Sequence, residues 1–140
     1  MTLIPADLRD AVVERAGNRC EYCHLSQESQ VATFPVDHIV PFGKQGPTEF
    51  TNLALACPRC NSKKWMDSEA RDPDTGEIVL LFNPRTQSWQ DHFRWSASDP
   101  AVLEPLTAAG RATAALLEIN SEQHVLVRRL LLVLGMHPGQ

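Results

Sequence analysis

The chain has 140 residues, 43% of them hydrophobic, and its 13 Lys and Arg against 17 Asp and Glu leave a formal charge of −4. Length and balance fit one ordinary globular domain with a real core, and they exclude disordered and fibrous classes. An acidic chain is poorly suited to holding nucleic acid by bulk charge, since domains that do so usually have an isoelectric point above about 9. Any such contact has to be local. The opening Met1-Thr2-Leu3-Ile4-Pro5 lacks the basic and apolar regions of a secretory signal, which predicts a cytoplasmic location. The most apolar stretch, 125–134, is broken by Arg128 and Arg129 and falls far short of the roughly 20 residues that cross a bilayer, so no membrane partner is expected.

A first helix is predicted over 5–16, with Pro5 in its first turn, Leu8, Val12 and Ala16 on one face, and Gly17-Asn18 as a left-handed stop. Cys20-Glu21-Tyr22-Cys23 follows as a tight knuckle. The β-branched run 36–40 reads as a strand ended by Pro41, with Gly43, Gly46 and Pro47 in the loop and a returning strand at 51–56. A helix resumes near Pro58, carries Cys60, Asn61, Lys64 and Trp65, and fades into the polar turn 72–76. That turn is the one plausible seam, dividing a core at 1–72 from a C-terminal extension at 73–140 that packs on it. The extension is predicted to hold strands at 77–82 and 102–106, an aromatic segment with Trp89, His92, Phe93 and Trp95, and a closing helical hairpin capped by Thr107 and Ser121. Trp89 and Phe93, four residues apart, read as core. The last helix is apolar on more than one face and needs partners on two sides, one of which can be a second copy in a homodimer.

The four cysteines, Cys20, Cys23, Cys57 and Cys60, form two C-x2-C pairs separated by 33 residues. Each such turn puts two thiolates on one side of a backbone loop, and two turns complete the tetrahedral shell that zinc prefers. A shell of four cysteines leaves no position for water, so this zinc is expected to be structural. The competing reading is a pair of buried thiol pairs or a redox motif, although a redox motif needs only one pair.

The segment between the pairs carries the chemistry. Asp37-His38 stands at a strand end, Asn52 begins the returning strand, and Asn61 follows the last cysteine. Closing both knuckles on one zinc brings the Asp37-His38 end against the start of the helix that bears Asn61. A hard ion such as magnesium accepts one carboxylate and one amide oxygen, which Asp37 and Asn61 can supply. His38, with an ordinary pKa near 6.5, can take a proton from water. Arg59, Lys63 and Lys64 lie together with no acid between 57 and 66, a local basic patch for phosphates. Arg85, His92, Arg94 and Trp95 form a second candidate surface.

Together, Cys20-x2-Cys23, Asp37-His38-Ile39-Val40-Pro41, Asn52-Leu53 and Cys57-Pro58-Arg59-Cys60-Asn61-x2-Lys64 resemble the HNH endonuclease family in its zinc-knuckle, McrA-like form, over about residues 15–66. The resemblance implies an α+β fold with a ββα-metal (His-Me finger) nuclease core stapled by a four-cysteine zinc site, followed by C-terminal strands and the helical hairpin. It implies a metal-dependent DNA endonuclease that hydrolyses phosphodiester bonds. His38 matches the general base, Asp37 a ligand of the catalytic divalent ion, and Asn52 the middle residue that steadies the loop and orients the base. Asn61 falls where the last histidine usually stands, an H-N-N variant whose amide oxygen favours Mg2+ or Mn2+ over softer ions. The alternatives are a catalytically silent zinc-stabilised nucleic-acid-binding module and a zinc-held protein-interaction domain. Cleavage of RNA also stays open.

Overall fold

The computed structural model describes residues 4–138. Its chain divides into two compact units, one running up to Ser68 and taking in Asn83–Thr86, the other made of Glu69–Phe82 and the residues from Gln87 onward. Among the described residues no helix is long and apolar enough to cross a membrane.

The first unit starts with α1, Ala6–Arg15, which ends where Gly17 and Asn18 take φ of 63° and 59°. Both are residues that tolerate the left-handed region, and the chain turns there into the first knuckle. Strands β1, Val36–His38, and β2, Leu53–Leu55, pair antiparallel with Asp37 opposite Ala54 and His38 opposite Leu53. All three β2 residues are buried, because α1 packs on this strand and closes a core with Val12, Tyr22 and Phe34. Arg15 ties helix to hairpin by donating to the carbonyls of Phe50 and Leu53, at 2.6 and 2.5 Å. Helix α2, Pro58–Lys64, follows β2 directly, with Pro58 at a first-turn position where a missing N–H costs nothing. Arg85 belongs to this unit as well, donating to Glu21 and to the Leu53 carbonyl.

In the second unit, β3, Glu69–Arg71, pairs antiparallel with β4, Ile78–Leu80. The turn 72–76, expected to be the seam, closes this hairpin inside the unit. Asp72 holds it: its carboxylate accepts the Asp74 amide and the Thr75 hydroxyl, both at 3.0 Å, and receives both arms of Arg111 at 2.9 and 2.8 Å. The short helix α3, Trp89–His92, runs into β5, Phe93–Trp95, which pairs with β6, Leu103–Pro105. Helices α4, Ala108–Leu116, and α5, Glu122–Val133, are capped by Thr107 and Ser121 as the sequence predicts. Instead of leaning chiefly on α5, α4 packs on β3, β4 and β6, and Gly110 sits so close to the His92 carbonyl that a β-carbon there would collide with it.

The charges that interrupt α5 are not both solvent-facing. Arg128 is buried and donates to the carbonyls of Ala101 and Ile119 and to Asn120, while Arg129 clasps Asp99. In the second candidate surface Arg94 is exposed, while Arg85, His92 and Trp95 are half-buried. Arg85 is paired in the first unit, Arg94 pairs with Glu104, and His92 bonds Thr107 through Nδ1 at 2.6 Å beneath Phe82. Phe93 is fully buried against Phe82 and Trp89, in keeping with a core role.

Candidate active site

Cys20, Cys23, Cys57 and Cys60 are buried and unbridged, and their four sulfur atoms lie within 4.8 Å of one another. In each knuckle the first sulfur accepts an amide three residues on: Cys23 N to Cys20 Sγ and Cys60 N to Cys57 Sγ, both at 3.4 Å. The second of these bonds is also the N-cap of α2, so one sulfur starts the helix and joins the cluster. A tetrahedral zinc with metal–sulfur bonds of about 2.3 Å needs sulfur–sulfur edges of about 3.8 Å, and Cys23 Sγ to Cys57 Sγ is 3.7 Å. Donor chemistry and spacing fit a metal. Hydrogen bonds from the neighbouring thiols, Cys20 first, hold Cys57 far below the ordinary thiol range, while the thiols of Cys23 and Cys60 are pushed up.

Beside this cluster an open cleft of about 350 Å³ is lined by Asp37, His38, Phe42, Asn61, Trp65 and Met66 among others. β1 supplies the first two, the loop after it Phe42, α2 Asn61, the cap of that helix Trp65, and the residue after the cap is Met66. Asp37 is buried, its Oδ2 accepting the Tyr22 hydroxyl at 2.8 Å and lying 3.1 Å from Lys64 Nζ. Burial pushes its carboxyl above the usual range, with Lys64 and Tyr22 pulling the other way. His38 Nε2 is 2.9 Å from Thr48 Oγ1, and the imidazole meets the Phe42 ring edge-on at 5.9 Å. Desolvation draws its pKa below the ordinary 6.5, which keeps the ring neutral at pH 7. The Asn61 side chain makes no hydrogen bond to another described residue, and Asn61 lines the cleft.

Residues 20–65 match the family model for HNH endonuclease. This family is one of endonucleases, and the HNH segment contains both the cysteine cluster and every polar residue of the cleft. Over 124 residues the chain is 23% identical to the Septu protein PtuB of Bacillus thuringiensis, a match that covers 87% of this chain and 44% of that protein. The chain thus spans less than half the length of this relative. No solved structure matches.

Within the HNH segment the residues singled out from sequence fall in three groups. Asp37, His38 and Asn61 border one cleft. Asn52 does not line it. Its Oδ1 accepts the Val40 amide at 2.9 Å and its Nδ2 donates to the carbonyls of Val40 and Pro47 at 3.1 and 2.9 Å, so this side chain stitches the loop between the strands. Gly46 makes the stitching possible, since a β-carbon there would run into the Val40 carbonyl and the Asn52 amide. Of the basic trio, Lys63 is exposed and Arg59 partly so, but Lys64 has to be corrected. It is buried, and its ammonium donates to Asp37 and to the carbonyls of His38 and Ile39, both at 3.1 Å. A side chain so engaged is not available to phosphate.

Sequence reasoning missed Tyr22, Thr48 and the internal role of Lys64. Tyr22 reads as filler between two ligands and Thr48 as a loop residue. The one available signal was that three basic residues on a two-turn helix cannot all face the same way.

Proposed function

We propose that the chain is a metal-dependent endonuclease that hydrolyses phosphodiester bonds of DNA with His38 as general base. The observation that carries this reading is the meeting of Asp37, His38 and Asn61 at one cleft inside the HNH segment. His38 Nε2 stands 2.9 Å from the Thr48 hydroxyl, and in the tautomer whose Nε2–H donates to that oxygen Nδ1 is the nitrogen that takes the proton of the attacking water. Asn52 is a positioning residue, since it holds the backbone that follows His38. Lys64 is another: through the His38 and Ile39 carbonyls it pins the end of β1.

Asp37 and Asn61 offer the hard oxygen donors of a magnesium or manganese site, with space beside them for the waters such an ion retains. When bound there, the ion supplies positive charge to the phosphoryl oxygens and to the departing oxygen. Zinc on Cys20, Cys23, Cys57 and Cys60 is structural, with no coordination position for substrate. Arg59 and Lys63 on α2 meet phosphates and give weak, salt-dependent binding of an otherwise acidic protein.

The test is nicking of supercoiled plasmid by the zinc-loaded protein with magnesium or manganese, beside His38→Ala of unchanged zinc content. Nicking by the parent alone is expected. Equal nicking by both proteins removes His38 from the chemistry, and nicking by neither leaves a silent nucleic-acid-binding module.

A further inference from the structure

The mouth of the cleft carries large apolar side chains standing in solvent: Trp65 is 74% exposed, Phe42 60% and Met66 40%. Trp65 is the C-cap of α2, with φ 45° and ψ −113°. A β-carbon disfavours positive φ, and a helix ends there most easily on glycine. Neither core packing nor helix termination accounts for a tryptophan at this point, and strain of this kind gathers at functional sites. Phe42 comes from the other wall, one ring away from His38, and the walls touch where Met66 lies against Gly43.

Charge identifies the occupant. The two wall segments, 41–48 and 57–66, contain Lys44, Arg59, Lys63 and Lys64 and no acid, in a chain whose net charge is −4. Lys64 is spent on Asp37, but Lys44 and Lys63 are exposed, each within two residues of an aromatic ring at the cleft mouth. Aromatic faces interleaved with cations match a nucleic-acid strand whose bases are unstacked, because every base offers a π-face while the cations track the backbone. A purely apolar protein partner has no use for exposed lysines beside the rings.

We infer that Trp65, with Phe42, stacks an unpaired DNA base next to the phosphate bound at the cleft, so that the site favours single-stranded or locally opened DNA over intact duplex. The location of the phosphate rests on the proposed nuclease reading; the stacking itself does not.

The experiment uses zinc-loaded His38→Ala protein without added divalent ion, so that nothing is cut, and fluorescein-labelled single-stranded dT12. Anisotropy gives affinity, and quenching of tryptophan emission reports stacking. Trp65→Phe is expected to keep most of the affinity. Trp65→Gly should weaken dT12 binding about 5- to 150-fold, the range for loss of one base–aromatic stack. Its melting temperature should hold or rise, because glycine suits the backbone at this position; an indole with only a structural role predicts a fall. A dT12 strand with abasic sites, and a duplex of equal length, should bind the protein that retains Trp65 about as weakly as dT12 binds the Trp65→Gly variant. Equal dT12 affinity with and without the Trp65→Gly substitution, or no preference for bases over abasic sites, overturns the inference. If the protein with His38 intact fails to nick plasmid but Trp65-dependent binding persists, the nuclease reading falls and the stacking site stands. If single-stranded and duplex DNA are both nicked and Trp65→Gly changes neither rate, the nuclease reading stands and the stacking site falls.

Discussion

Lys64→Met removes an ammonium while keeping most of the side-chain volume. Lys64 and Asp37 have side-chain exposures of 2% and 4%, with Nζ 3.1 Å from Oδ2, so the substitution leaves a largely buried carboxylate without its cation. Breaking a buried pair from one side costs about 3–5 kcal/mol, a large share of the roughly 5–15 kcal/mol that holds a domain together. The carbonyls of His38 and Ile39 lose a donor as well, which places the effect toward the upper end. With a urea m-value of about 2 kcal/mol/M, the unfolding midpoint of the zinc-loaded protein should fall by about 2–2.5 M. Adding Asp37→Asn to Lys64→Met should recover part of that loss, since the stranded charge is gone. Lys63→Met, one residue away on the exposed side of α2, should cost less than about 1 kcal/mol. A Lys64→Met loss as small as that of Lys63→Met, or a double variant less stable than Lys64→Met alone, would refute the burial argument.

Two further outcomes are expected. Chelation of the metal should strip amide exchange protection from Leu53–Leu55, because zinc bound to four thiolates contributes about 10–16 kcal/mol and both knuckles border β2; protection that survives complete metal removal contradicts this. In the second unit Arg111 holds the Asp72 carboxyl well below the ordinary carboxylate range. A depressed pKa contributes stability that is fully present above the unfolded value of about 3.9 and fades as pH falls below it. Asp72→Asn should therefore lower the melting temperature at pH 7, with the gap to the parent narrowing steadily below about pH 4. A gap that widens toward acid contradicts the assignment.

Much of the fold was legible because its signals are local. The stop at Gly17-Asn18, the proline that opens α2, the caps at Thr107 and Ser121 and the two C-x2-C turns each act over a few residues, and the structure carries all of them. β3 was not legible. Glu69-Ala70-Arg71 has no β-branched residue and reads as the tail of a helix, and it becomes a strand because Asp72, clamped by an arginine 39 residues away, folds Ile78–Leu80 back onto it. Helix α4 likewise chose its neighbours by fit: Ala112 and Thr113 are fully buried and Gly110 allows close approach, a surface flat enough to lie on strands.

The chain's net charge of −4 and its four cysteines were visible from the outset. Alone, the sequence determined which residues could serve as soft and hard metal donors, since that depends only on side-chain chemistry and short spacings. Only the tertiary structure decided how the charges are spent. The basic run at 59–64 looks uniform in sequence, yet the return of the chain over 27 residues buries Lys64 against Asp37 while Lys63 stays exposed. Solvation, which separates an internal tether from a phosphate contact, is a property of the packed molecule and of no segment taken by itself.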